Sequence, residues 1–154
     1  MKPRFNYLKQ APGAYQAMLA LEKYLHDSGL EPVIIHLVKL RVSQINGCAY
    51  CIDMHWKDLR AIGENEERLY MLDAWEESPL YSDRERAAFL WAEACTNLRE
   101  GHVPDAIYDA VAKHFDEKGI SDLTFVVATI NAWNRLAIPA RATPGRYTSA
   151  LAKS

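Results

Sequence analysis

Three cysteines in 154 residues are too few, and odd in number, for a secreted disulfide framework. No stretch approaches the ~18 consecutive apolar residues that span a bilayer. The first residues, MKPRFNYLKQAPGAYQAML, also lack the charged start and unbroken apolar run of a secretory signal. A cytoplasmic protein without membrane attachment is the expectation. Basic residues form no stripe: 18 Lys and Arg are mixed with 20 Asp and Glu for a formal net charge of −2, which disfavours nucleic acid and anionic membranes as partners. Gly-rich phosphate-binding signatures, internal repeats, linkers and low-complexity tracts are missing as well, so nucleotide chemistry has no support.

What is present is a chain 49% hydrophobic, enough for one domain with a substantial core and too short for two. Between its Gly and Pro residues the apolar period is helical, not alternating. The expected fold is therefore all-α, a compact bundle of six to seven helices with its core over about 12–139. Three helices are expected from about Ala14 to Ser28, from Pro32 to Gln44 and from Gly47 to Ile62, with Gly29 and Gly63 as stops. A fourth covers about Glu64 to Trp75, and the capping box Ser82-Asp83-Arg84-Glu85 starts a fifth that ends near Gly101. The last two run from Pro104 to before Gly119 and from a Ser121 cap to Pro139. The tail, 140–154, is weakly apolar and expected to be loosely held.

The stretch NGCAYCIDMH, residues 46–55, concentrates the chemistry. On a helix turning about 100° per residue, Ile52, His55, Leu59 and Ile62 fall within roughly 40° of Cys48, and Cys51 about 60° to one side. Both thiols and the imidazole then share an apolar face, at the edge of a pocket against other helices. Cys48 and Cys51 are close enough on such a helix for a reversible disulfide. His55, one turn beyond Cys51, is a candidate base for it. A free thiol with pKa near 8.5 is only about 3% thiolate at neutral pH, and a helix start with a nearby proton acceptor lowers that pKa.

Other readings are plainer. A Cys-x-x-Cys in a cytosolic helix also occurs as two small core residues, and a lone His on an apolar face is usually a satisfied core histidine. Zinc held by Cys48, Cys51, His55 and His36 is disfavoured, because a continuous helix separates Cys48 from His55 by ~10.5 Å of rise while zinc ligands sit ~2.0–2.3 Å from the metal. Cys95 reads as a packing residue and Trp133 as core or subunit interface. Asn131 and Asn134 read as hydrogen-bonding ties between helices. Arg41 falls among apolar positions and needs a carboxylate or carbonyl partner if buried.

The run HLVKLRVSQINGCAYCIDMHWKDLRAIGE, residues 36–64, resembles the signature of the alkylhydroperoxidase AhpD-like branch of the carboxymuconolactone decarboxylase superfamily. TFVVATINAWNRLAIP, residues 124–139, is similar to that family's C-terminal helix. The resemblance implies a helical domain assembled into trimers or hexamers, and a peroxide-reducing dithiol with no metal or organic cofactor. It implies hydroperoxide as substrate and re-reduction by a dithiol donor such as a lipoyl or thioredoxin-like protein. Cys51 would be the peroxidatic residue and Cys48 the resolving one, although closeness to the helix start favours Cys48 as the more acidic thiol.

Two departures from the family pattern matter. His36 stands where the family has a glutamate, twelve residues before the first cysteine, that feeds a proton relay to the motif histidine, here His55. A neutral imidazole accepts a proton but does not stabilise a neighbouring imidazolium as a carboxylate does, so the relay is expected to be weakened or reorganised. Tyr50 replaces the histidine that well-studied members carry before the second cysteine, and a phenol is a donor, not a base, near neutral pH. On its helix His36 shares the most polar strip with Lys39 and Ser43, which equally suits a residue facing solvent or a subunit boundary. These departures keep open a redox-sensing or disulfide-exchange protein with little turnover. Lactone decarboxylation is the weaker alternative, since it needs no Cys-x-x-Cys.

Overall fold

Proline at the first helical position opens both α2 (Pro12–His26) and α3 (Pro32–Asn46), where its missing N–H would have had no partner in any case. The computed structural model describes residues 2–151. Among these, α1 (Tyr7–Gln10), α4 (Ala49–Ala61), α5 (Glu66–Tyr70), α6 (Asp83–Thr96), α7 (Asp105–Ala112) and α8 (Glu117–Ala140) complete an all-helical fold with no strand.

α3 lies at the centre, packed against α4, α6 and α8. Its Ile34, Ile35, Leu37, Val38, Leu40 and Val42 are buried, and they meet Phe89 of α6 and Leu123, Val126, Val127 and Ile130 of α8 in one core. Each such side chain contributes about 1.5–3 kcal/mol on leaving water. The polar strip of α3 points inward too. Lys39 and Ser43 are buried, with Lys39 ion-paired to Glu22 of α2 and Ser43 Oγ accepting from Asn134 Nδ2 at 3.2 Å. Asn46 Nδ2 donates to Asn131 and Asn134 of α8 at 2.9 and 2.8 Å, so those asparagines tie the two helices together as expected. Arg41, which is partly buried, finds Glu93 at 2.7 Å and Asp73 at 2.5 Å, the carboxylate partners its position among apolar residues calls for.

Several boundaries differ from the sequence reading. α1, four residues long, is too short to show an apolar period and brings the helix count among the described residues to eight, while the helix expected over Glu64–Trp75 is the shorter α5 followed by a 3-10 turn at Leu72–Ala74. α7 stops at Ala112 and α8 begins at Glu117, because Asp116 rather than Ser121 is the cap: its carboxylate accepts from Gly119 N–H at 2.7 Å. Gly119 therefore sits inside the first turn and is no stop signal. Pro139 likewise lies inside the last turn of α8, where its missing donor deprives only one carbonyl near the helix end. No helix of the described residues is long and apolar enough to cross a membrane.

Candidate functional site

Gly47 makes the site possible. It ends α3 in the left-handed conformation, φ +69°, and turns the chain so that α4 leaves at once in a new direction. Cys48 is the residue that caps α4, in extended conformation, and its sulfur lies 3.4 Å from the Cys51 backbone nitrogen, which donates to it. The helix thus starts two residues later than its periodicity suggested, and Cys48 stands at the positive end of its dipole. The two sulfurs form a disulfide, with Cα atoms 5.3 Å apart, and both cysteines are buried.

α4 then carries His55 and Asp58 inward, one turn and two turns beyond Cys51. His36 reaches them from α3. His36 Nδ1 and His55 Nδ1 face each other at 3.4 Å, and Asp58 Oδ2 is 3.9 Å from both nitrogens. Burial, only partly offset by the Asp58 charge, pushes His36 down to about 4; burial, reinforced by Lys39 and His36, pushes His55 well below its ordinary value. Both rings are therefore neutral near pH 7, and weaker bases than a free imidazole. Among the described residues no group pairs with His55 Nε2, so in this disulfide form the ring is not hydrogen-bonded to Cys51.

Asp58 was not singled out by its sequence position, because its partners are remote. Its Oδ1 accepts from Tyr147 Oη at 2.8 Å and from Ser149 Oγ at 2.6 Å, both in the C-terminal segment. That segment is not loosely held, as far as residue 151. It runs back along α4, with Gly145 N–H donating to Asp53 at 2.9 Å and Lys57 Nζ donating to the Tyr147 carbonyl at 3.0 Å. Residues 152–154 of the expected tail lie outside the described residues. The signal that reaches Asp58 is its i,i+3 spacing from His55, which puts both on one helix face.

Cys51, His36, His55 and Asp58 line one cavity of about 270 Å³. Its outer wall is aromatic and apolar, with Tyr7, Tyr15, Leu19 and Trp133. Trp133 packs edge-on to Tyr15 at 5.9 Å and donates to Glu22 at 2.8 Å, so it belongs to this wall as well as to the core margin. Tyr50 also lines it, with its phenol pushed up by burial and then by Tyr15, which keeps it protonated. Cys48 opens instead onto a neighbouring cavity beside Arg141 and Pro144. Cys95 lines neither cavity: it is half-buried and forms no disulfide, with burial pushing its thiol up to about 11.

Residues 12–94 match the model of the carboxymuconolactone decarboxylase family. An uncharacterised protein of Bacillus subtilis (strain 168), YdfG, is 43% identical over 138 residues, covering 90% of this chain and 94% of its own length. The crystal structure of a protein of unknown function from Agrobacterium tumefaciens superposes with a TM-score of 0.91 at 42% identity, covering 95% of this chain and 100% of that one. The alkyl hydroperoxide reductase AhpD of Acidobacterium capsulatum is 51% identical over 43 residues, 28% of this chain and 24% of its own length.

Proposed function

This chain belongs to the carboxymuconolactone decarboxylase family, and on that premise we propose that it is a dithiol peroxidase that reduces organic hydroperoxides or hydrogen peroxide through Cys51 and Cys48. The observation that carries the reading is the shared cavity, in which Cys51 meets two imidazoles that burial holds neutral. Cys48 opens elsewhere.

In the reduced protein the Cys51 proton passes to His55, directly or through a water in the cavity, and is shared with His36 across their Nδ1 contact. Asp58 takes the part of the carboxylate missing at position 36: its charge, set beside both rings, stabilises the imidazolium that forms. Tyr147 and Ser149 fix that carboxylate in place. The thiolate attacks the outer peroxide oxygen, so an S–O bond forms as the O–O bond breaks. The leaving alkoxide recovers the proton from the histidine pair and departs as an alcohol. Cys48, favoured as a thiolate by the α4 terminus and the Cys51 N–H, then displaces hydroxide from the sulfenic acid. The products are water and the Cys48–Cys51 disulfide. An external dithiol, of the lipoyl or thioredoxin-like kind, returns the pair to thiols. The same reading takes the protein as a homo-oligomer, trimer or hexamer. Exposed Phe5, Leu8, Leu19 and Phe125 supply apolar surface for contacts between copies.

Steady-state peroxide consumption with a dithiol reductant tests this. Cys51→Ser is expected to abolish turnover, and a variant that keeps it would overturn the assignment of the attacking sulfur. A redox sensor, favoured by the burial of both cysteines, oxidises once and shows negligible turnover in wild type.

A further inference from the structure

We infer that His36, His55 and Asp58 form a binding site for a divalent transition metal of the zinc class, distinct from the cysteine pair. The ligating atoms are His36 Nδ1, His55 Nδ1 and Asp58 Oδ2, one from each residue, and these three groups lie within 4.8 Å of one another. Their separations are 3.4, 3.9 and 3.9 Å. A triangle of those sides has its equidistant point about 2.2 Å from every corner, close to the ~2.0–2.2 Å that zinc keeps to imidazole nitrogen and carboxylate oxygen. The nitrogen pair already has the edge length of a tetrahedron with bonds of about 2.1 Å, and the carboxylate needs to approach by about half an ångström.

The surroundings fit a metal on three further counts. Asp58 has its Oδ1 committed to Tyr147 and Ser149, which aims Oδ2 at the two rings, the outer-shell arrangement that orients a ligating carboxylate. Lys39, which lines the same cavity, is ion-paired to Glu22 and so adds little net charge against a metal. The cavity supplies the open position at which water would complete four-coordination. Two His and one Asp with an open fourth position suit Zn²⁺ or Co²⁺ better than the oxygen-seeking Mg²⁺ or Ca²⁺. Occupancy takes both Nδ1 lone pairs and so excludes proton uptake from Cys51. That consequence, reversible silencing of the dithiol by metal, rests on the proposed peroxidase function; the site itself does not.

Titrating tag-free protein with Co²⁺ in its disulfide form isolates the site, because oxidised cysteines cannot ligate. Binding of one Co²⁺ per chain with intense visible d–d absorption, displaced by one equivalent of Zn²⁺, is expected. Asp58→Asn and His36→Gln are each expected to weaken it at least tenfold. Zn²⁺ should also raise the Tm of oxidised wild type and leave that of Asp58→Asn unmoved. The proposal is overturned if oxidised protein shows no saturable binding, if only reduced protein binds, or if both variants, folded by circular dichroism, bind as wild type does. Peroxide turnover does not enter any of these readouts, so failure of the peroxidase reading leaves the result intact.

Discussion

His36 is the residue at which the sequence pattern and the structure part most clearly. Read along α3 it belongs to a polar strip with Lys39 and Ser43, a strip that suits solvent equally well. In the fold that strip is internal, and the ring meets His55. The cost is acid sensitivity. Burial holds His36 at about 4, so as pH falls below about 6.5 the unfolded chain takes up a proton that the folded chain refuses. The stabilising contribution is complete above that pH and is lost between about 6.5 and 4. Uptake by the unfolded state alone over that window removes about 3 kcal/mol, and His55 acts in the same direction. His36→Gln is expected to flatten this dependence, measured as denaturant midpoints from pH 7 to 4. An unchanged slope in the variant would mean that His36 is protonated in the fold. Cys48, Cys51 and His55 were legible from local spacing alone, because all three lie within eight residues on one turn-and-helix unit. Asp58 was not, because the partners that define its role lie about 90 residues away in the chain.

At the scale of elements, the turn between α3 and α4 does the positioning. Gly47 holds φ +69°, and a Cβ there would meet no other atom within 4 Å, so any penalty for a side chain is one of backbone conformation and not of crowding. Gly47→Ala is expected to cost about 1–2 kcal/mol in chemical denaturation, and Gly47→Asn less, since asparagine tolerates the left-handed region. Equal losses for both variants would point to steric exclusion instead. The long helices were readable because their apolar period and caps agree. The Ser82–Glu85 capping box, found as expected, is the clearest case. The start of α8 misled because two signals competed there. Asp116 and Ser121 both have capping side chains, but only Asp116 reaches an unpaired N–H, while Ser121 Oγ donates back to the Glu117 carbonyl.

For the whole molecule, the fold closes on itself at the site. α3 presents one histidine, α4 presents the dithiol with His55 and Asp58, α8 and α2 build the aromatic wall, and the C-terminal segment returns to brace Asp58. No periodicity announces that last contact, because residues 143–149 form no helix and their hydrogen bonds depend on tertiary placement. The central claim is that Cys51 and Cys48 act as a peroxide-reducing pair. The most direct test is a free-thiol count with intact mass on fully reduced protein before and after one equivalent of an organic hydroperoxide, over seconds to minutes. Loss of two thiols per chain within that time, with a mass decrease of about 2 Da and the new bond mapped to Cys48–Cys51, is the predicted result. Retention of both thiols, or oxidation that stops at a stable sulfenic acid on a single cysteine, would contradict it.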